Sequence, residues 1–317
     1  MTIAQIYELV IKKGIEKDPR SQKDINAEIK KSRDEYRKLK KREKQLFDKD
    51  RLKHPFADTR ILYGDCDKVI SNIMVGIDIS GEELLAAYLL NEKGCGIDLV
   101  MSHHPAGKAL ANLFHVMGVH ENILVKLGVE PKIAQSMMKE RIDEVSRRFL
   151  PINHERSVDM ARLLNVPFMC VHTPADNHVT YFLQKLFDKK RPKKVKDVLR
   201  ILSGVPEYED AIAKGSGPRL IAGKGDNHVG KIFVDMTGGT EGSKKMFARI
   251  SQAGVNTIIA MHLGEEHFKA AKSEFINVVI AGHIASDTLG LNLVLDELQK
   301  IQPLNIIPCS GFVRIKR

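Results

Sequence analysis

Apolar residues along the chain change rhythm twice, and each change marks a different kind of structure. Ile3, Ile6, Leu9 and Val10 recur at helical spacing, which predicts an amphipathic helix ending near Gly14. From Asp24 to about Asp50 a longer helical pattern follows, with Ile25, Ile29, Tyr36, Leu39 and Leu46 near heptad positions. Ser32 and Glu43 interrupt that seam, so the pattern predicts a solvated helix packed on the body or on a neighbouring subunit and not a long coiled coil. From Lys68 the rhythm becomes strand, helix, strand: Ile73–Ile77, then a helix over Gly81–Asn91, then Leu99–Ser102. Helical patterns fill the stretch from about Ala109 to Phe149, with breaks near Gly118 and Pro131. A short helix at Asp159–Leu164 and a strand at Phe168–Val171 complete this series. After Gly215–Pro218 a second series begins, with strands at Lys231–Met236, Thr257–Met261 and Asn277–Ala281. Ile306–Ile307 and Phe312–Ile315 are the closing strand candidates. This alternation predicts an α/β protein of two related halves with largely parallel or mixed sheets, plus a basic helical N-terminal arm. The expected division is 1–60 for the N-terminal helices and arm, 61–200 for the first half and 201–317 for the second.

Composition narrows the function classes. With 43% apolar and 28% charged residues over 317, the chain reads as an ordinary soluble globular protein. No apolar run approaches the roughly 18 residues that a membrane span needs. The start, M-T-I-A-Q-I-Y-E, lacks the basic-then-apolar signature of a secretory leader. Cys66, Cys95, Cys170 and Cys309 are scattered without a C-x-x-C pair, which argues against a zinc ribbon or a disulfide framework and suits the cytoplasm. Trp is absent, so stacking on unpaired bases is disfavoured. The formal charge of +10 is localised: Ile29–Lys53 holds twelve Lys or Arg against five Asp or Glu. A solvated helical face is the plain reading of this arm, and nucleic acid is the partner its charge would attract. Lys189–Lys196 reads as a solvated helix start, with a phosphate patch as the alternative.

Candidate chemistry gathers where strands end. The run Asp98–Pro105, D-L-V-M-S-H-H-P, carries Leu99, Val100 and Met101 into His103 and His104, with Pro105 holding the backbone extended. Phe168–Val171 runs into His172, then Asp176 and His178. Thr257–Met261 runs into His262 and His267, and Val278–Gly282 into His283 and Asp287. Seven of the twelve histidines lie at these ends, so parallel strands would bring them to one edge. Each piece alone fits a buried hydrogen bond as well as a ligand; the recurrence favours a metal site. Imidazole with carboxylate and no thiolate suits zinc, manganese, iron or cobalt. His262, Glu265 and Glu266, near the same edge, are the candidates for general acid or base. Thr237–Ser243 follows a strand and precedes a helix, so it reads either as a phosphate cradle or as a tight connection.

Taken in order, these motifs resemble the NIF-three-like dinuclear-metal family, also described as GTP cyclohydrolase type-two homologues. The resemblance covers Met1 to Asp18 and about Arg60 to the C-terminus. It rests on Ile77–Ser80 with His103-His104-Pro105, on His172-Thr173-Pro174-Ala175-Asp176, on Met236–Gly242, and on Gly282-His283-Ile284-Ala285-Ser286-Asp287. It implies two divalent metal ions held by His103, His104, Asp176, His283 and Asp287, in a toroidal homo-hexamer. It further implies a metal-dependent hydrolase acting on a nucleotide or related small molecule, for which His262 and Glu266, by their place near the predicted edge, are the catalytic candidates. A non-enzymatic metal-binding assembly that handles metal or docks a partner is the alternative. The family usually has Glu where Asp287 stands, and glycine soon after the H-T-x-x-D aspartate where Asn177-His178-Val179 stand here. His178 and His267 are therefore candidate additional ligands or substrate contacts.

Overall fold

The computed structural model describes residues 1–317, and its strands form two separate sheets. In chain order they are β1 (Arg60–Tyr63), β2 (Asn72–Gly76), β3 (Leu99–Ser102), β4 (Phe168–Cys170), β5 (Arg219–Ala222), β6 (Lys231–Asp235), β7 (Val255–Ala260), β8 (Asn277–Ile280) and β9 (Asn305–Pro308). The first sheet has the order β1-β4-β3-β2-β9 and the second β5-β8-β7-β6. Pairing is parallel except for β1 against β4 and β5 against β8. The expected α/β class with two related halves and mostly parallel strands is what folds. Neither antiparallel edge strand was legible in the sequence. Each has a single neighbour, and only one of its four residues is buried, so no apolar run marks it.

Two expectations about the C-terminus need correction. Phe312–Ile315 is not a strand; Phe312 fills the core and the Ile315 N–H donates to the Asn292 side chain at 3.1 Å. β9 does not close the second sheet. It pairs with β2 of the first, Ile306 opposite Ile73.

The layers interlock. Helix Thr173–Lys190 leaves β4 of the first sheet but buries Val179, Leu183 and Phe187 with Val234, Ile259 and Val279 of the second. Helix His283–Gln299 leaves β8 of the second sheet and buries Leu291, Val294, Leu295 and Leu298 with Ile73, Val75, Leu99 and Met101 of the first. Helices Val119–Leu127 and Pro131–Phe149, which precede β4 in the chain, cover the other face of the second sheet. Each such leucine, fully buried, contributes about 1.5–3 kcal/mol. The crossing helices approach very closely at Gly290, where an added Cβ would lie 2.8 Å from the Ala175 carbonyl oxygen. Only a residue without a side chain fits there.

The arm is not one long helix. Ser21 caps helix Gln22–Lys38 through a reciprocal box with Asp24, and the backbone turns extended at Leu39 before the short helix Lys41–Leu46. Ile25 and Ser32 face inward, so the apolar seam tolerates the serine. Buried guanidiniums fasten the arm to the body. Arg60 bonds Asp48 at 2.6 Å and approaches Asp50 at 3.5 Å, while Arg20 bonds Asp18 at 2.8 Å and Glu28 at 2.5 Å. No helix is long and apolar enough to cross a membrane.

His54 sits where arm and body meet. Its Nδ1 accepts the Phe56 N–H at 3.2 Å and its Nε2 meets the Tyr7 hydroxyl at 2.9 Å, which in turn donates to the Thr59 carbonyl at 3.0 Å. With Nδ1 committed as an acceptor, only the neutral imidazole fits. Burial, aided by the Arg60 charge, pushes its pKa down to about 3. The unfolded chain binds this proton near pH 6.5 and the folded chain does not, so the stability His54 provides is complete above pH 6.5 and lost as pH falls. Replacing it by glutamine, H54Q, is expected to make unfolding free energy depend less steeply on pH between 6 and 4, by up to about 1.4 kcal/mol per pH unit. Denaturant titrations across that range measure the difference, and parallel slopes would contradict the assignment.

Candidate metal centre

The two sheets deliver imidazoles and carboxylates to one place. Beyond β3, the N–H groups of His103 and His104 donate to the carbonyls of Gly76 and Ile77 at 2.9 and 3.0 Å, which continues the ladder and fixes both residues. The His103 Nδ1 lies 3.1 Å from the Val171 carbonyl, so it carries the proton and leaves the Nε2 lone pair free. The His104 Nδ1 is 2.7 Å from Asp78 Oδ1, which frees its Nε2 in the same way. Asp176 stands in the first turn of helix Thr173–Lys190. His283 opens helix His283–Gln299, and Asp287 is one turn further on the same face.

Separations between the free donor atoms are narrowly distributed. His103 Nε2 is 3.4 Å from Asp176 Oδ1 and 3.4 Å from Asp287 Oδ1. His104 Nε2 and His283 Nε2 are each 3.5 Å from Asp287 Oδ2. Two ligands bonded at ~2.1 Å around a tetrahedral ion stand about 3.4 Å apart. Asp287 is fully buried and shared: one oxygen faces the pair His103 and Asp176, the other the pair His104 and His283. Both of its oxygens, and Asp176 Oδ1, lack any hydrogen-bond partner. Buried carboxylate oxygens left bare in this way are costly unless a cation or proton meets them. The donor set therefore fits divalent metal, and two of the groups that could hold an ion are His103 with Asp176 and Asp287, and His104 with His283 and Asp287.

Electrostatics agree with this reading. Burial pushes the His103 imidazole down to a pKa of about 4, keeping it neutral and able to ligate. Burial, followed by the charges of His262 and His104, also lowers His283, against the pull of Asp287. The Asp176 carboxyl is driven well above its usual range by burial and by the Asp287 and Asp58 charges, against the pull of His172. Burial opposes ionisation of Asp287 too, but the imidazoles of His103, His283 and His104 outweigh it.

Comparison with known proteins follows the same lines. No family model and no curated protein matches the sequence. Among solved structures, a NIF3 superfamily protein from Sphaerobacter thermophilus superposes with a TM-score of 0.70 at 27% identity, over 80% of this chain and 91% of that one. The chain resembles NIF3 superfamily proteins in fold and in sequence. Reduced HcgD from Methanocaldococcus jannaschii aligns at 17% identity and TM-score 0.47, over 85% of this chain and 97% of its own. A Bacillus cereus protein related to NIF3 aligns at 10% identity and TM-score 0.44, over 80% and 90%.

The structure gathers His103, His104, Asp176, His283 and Asp287 at one point, and separates other candidates from it. Glu266 is displaced: its carboxylate is exposed and pairs with Lys244 and Lys269, facing away from the centre because it lies on the outer side of helix Glu265–Ser273. His178 is also displaced. It is buried beside Lys13 and Lys17 of the N-terminal helix, on the side of helix Thr173–Lys190 away from Asp176. Its neighbour Asn177 takes the structural role, donating to the Gly14 carbonyl and accepting from the Thr237 hydroxyl at 2.7 Å. His262 does reach the centre, its ring 4.7 Å from that of His283, with Nδ1 3.4 Å from Glu241 Oε1. His267 lies behind it, Nδ1 3.4 Å from the other Glu241 oxygen and Nε2 bonded to the Gly242 carbonyl at 2.9 Å. Thr237–Ser243 is a tight connection: His120 bonds the Thr240 carbonyl at 3.0 Å, and the next helix starts only at Met246.

Three residues escaped sequence reasoning as partners in the site, and a fourth, His172, stood among the strand-end histidines without a role. His172 lines the cleft, with Nδ1 2.8 Å from the fully buried Asp58 and its ring 4.8 Å from that of His103. Burial works against its imidazolium, but Asp176, Asp58 and Asp287 prevail and raise its pKa to about 9. Asp58, Asp78 and Glu241 each orient an imidazole. Glu241 is itself held low, to about 2: His262, the Gly264 N–H and His267 overcome its burial. Asp58 and Asp78 carry no motif signal, whereas His172 and Glu241 lay inside quoted motifs.

Adding a methyl group at the helix crossing, G290A, is expected to displace Asp287 from Asp176 and cost about 1–3 kcal/mol of stability. Zinc or manganese titration by calorimetry should show affinity falling at least tenfold, and an unchanged affinity would separate the crossing from the site. In the parent protein, metal uptake should release protons and weaken as pH falls, since burial favours the protonated Asp176 carboxyl.

Proposed function

We propose that this chain is a dinuclear-metal hydrolase acting on a nucleotide or a related small molecule, with His103, His104, Asp176, His283 and Asp287 as ligands. One observation carries the reading: the buried Asp287 turns two partnerless oxygens toward two different sets of donors. A pair of divalent ions there would supply Lewis acidity, lowering the pKa of a water and offsetting charge on a substrate oxygen. The chain's own residues supply the rest. Asp78 and the Val171 carbonyl fix the tautomers of His104 and His103. His262, aligned by Glu241 at the rim, is placed to take or return a proton; it replaces Glu266 in that role.

A cleft opens beside the ligands, lined among others by His172, Asp235, Thr237, Glu241 and His262. No lysine or arginine lines it, and Asp235 and Glu241 are acidic. Phosphates find no ammonium or guanidinium within it, and the His172 imidazolium is engaged by Asp58 and Asp176, so a nucleotide enters by its base or sugar and keeps its phosphates outside. This supports a reaction at the base or sugar over one at a phosphoryl group.

Elemental analysis of protein purified without added metal is expected to give two ions per chain, falling to one or none in His103→Ala. The metal-loaded protein should turn over GTP or guanosine, the two comparably, and His104→Ala should lose at least a hundredfold. Equal activity in both proteins removes the hydrolase reading. Two ions with no turnover across a panel of nucleotides, nucleosides and cyclic amides supports a non-enzymatic metal-handling assembly instead.

A further inference from the structure

The N-terminal arm distributes its charges unevenly. Its acidic side chains are engaged within the protein: Asp24 caps its helix, Glu28 binds Arg20, Asp34 binds Arg37, Glu35 binds Arg51, Glu43 bonds the Lys40 N–H, and Asp48 and Asp50 hold Arg60. Its cations are mostly left over. Lys23, Lys30, Lys31, Lys38, Lys41 and Arg42 are exposed and make no ion pair. On helix Gln22–Lys38 the buried Ile25 and Ser32 mark the inner face. Lys23 and Lys30, seven residues apart, lie on the opposite face with a spacing of about 10 Å, and Lys31 and Lys38 form a second such row on its flank, where Lys31 stands near Glu28 and Glu121.

We propose that this outer face of the arm docks on the sugar-phosphate backbone of a nucleic-acid duplex, without reading sequence. Three features favour that partner. The rows are a stripe of unneutralised positive charge held on a rigid helix, which matches a regular array of phosphates. The arm's aromatic side chains are unavailable for unpaired bases, since Tyr36 and Phe47 pack on each other with ring centroids 5.3 Å apart. A membrane surface would call for large apolar residues beside the lysines, and on this helix face only Ala27 is apolar. Because Arg60 and Arg20 are buried against the arm's acids, the docking face is presented by the folded body and does not form on binding.

The arm's anchoring makes its deletion uninformative, because buried Arg60 would lose its partners. The test is fluorescence anisotropy of the full-length, metal-loaded protein with a mixed-sequence DNA or RNA duplex of about 20 base pairs. Binding should fall with salt, log K against log salt sloping by about −0.9 for each phosphate contacted. K23E/K30E/K31E/K38E should weaken it at least a hundredfold at low salt, and the glutamine counterpart should be intermediate with a shallower slope. Circular dichroism and metal content should match the parent in both. His104→Ala should bind the duplex as the parent does, which separates this inference from the metal-centre reading. Duplex binding that survives both quadruple variants overturns the proposal, as does absence of duplex binding. Binding of anionic phosphatidylserine vesicles in place of the duplex overturns it as well.

Discussion

The close crossing of helices Thr173–Lys190 and His283–Gln299 is the constraint on which the molecule depends. Each helix starts at the end of a strand in one sheet and buries its apolar face against the other sheet. Their N-terminal parts therefore meet between the sheets, and Gly290 against Ala175 sets how near they come. Asp176 stands in the first turn of one helix and Asp287 in the second turn of the other. The same packing that joins the halves brings two carboxylates into a pocket where neither has a hydrogen-bond donor to satisfy it.

Such a pocket works against stability by itself. Bare buried oxygens raise the energy of the fold, and the protein spends hydrophobic burial elsewhere to keep them in place. Around them, polar groups are satisfied: His103 by the Val171 carbonyl, His104 by Asp78, His172 by Asp58. The contrast between a committed outer layer and vacant inner atoms is what distinguishes a preorganised binding centre from a poorly packed core.

The two halves are related in topology, and the relation extends into the site. β4 leads to His172 and, four residues on, Asp176; β8 leads to His283 and, four residues on, Asp287. β3 ends at His103 and His104, and its counterpart β7 runs on to His262. Each half thus offers a histidine and an acid on one helical turn, with further imidazoles from the adjoining strand. The symmetry breaks in both halves: His172, the counterpart of His283, is turned to Asp58, and His262 is turned to Glu241 at the rim.

The α/β class and the parallel strands were legible because central strands are apolar runs, and their C-terminal ends carried histidine each time; the choice of five ligands among those side chains came from the family resemblance. Edge strands β1 and β5 were not, since a strand with one neighbour needs no continuous apolar face. Nor could sequence spacing tell which way a helical side chain points: Glu266 and His178 looked as suitable as His262, yet one faces solvent and the other the N-terminal helix. Asp58 and Asp78 gained their meaning only from residues 114 and 26 positions away. By itself the sequence determined which elements form and what chemistry stands at their ends, because periodicity and residue type are local. Only the tertiary structure decided which oxygens remain bare, which imidazole nitrogens face one another and where β9 returns, because those follow from packing between segments far apart in the chain.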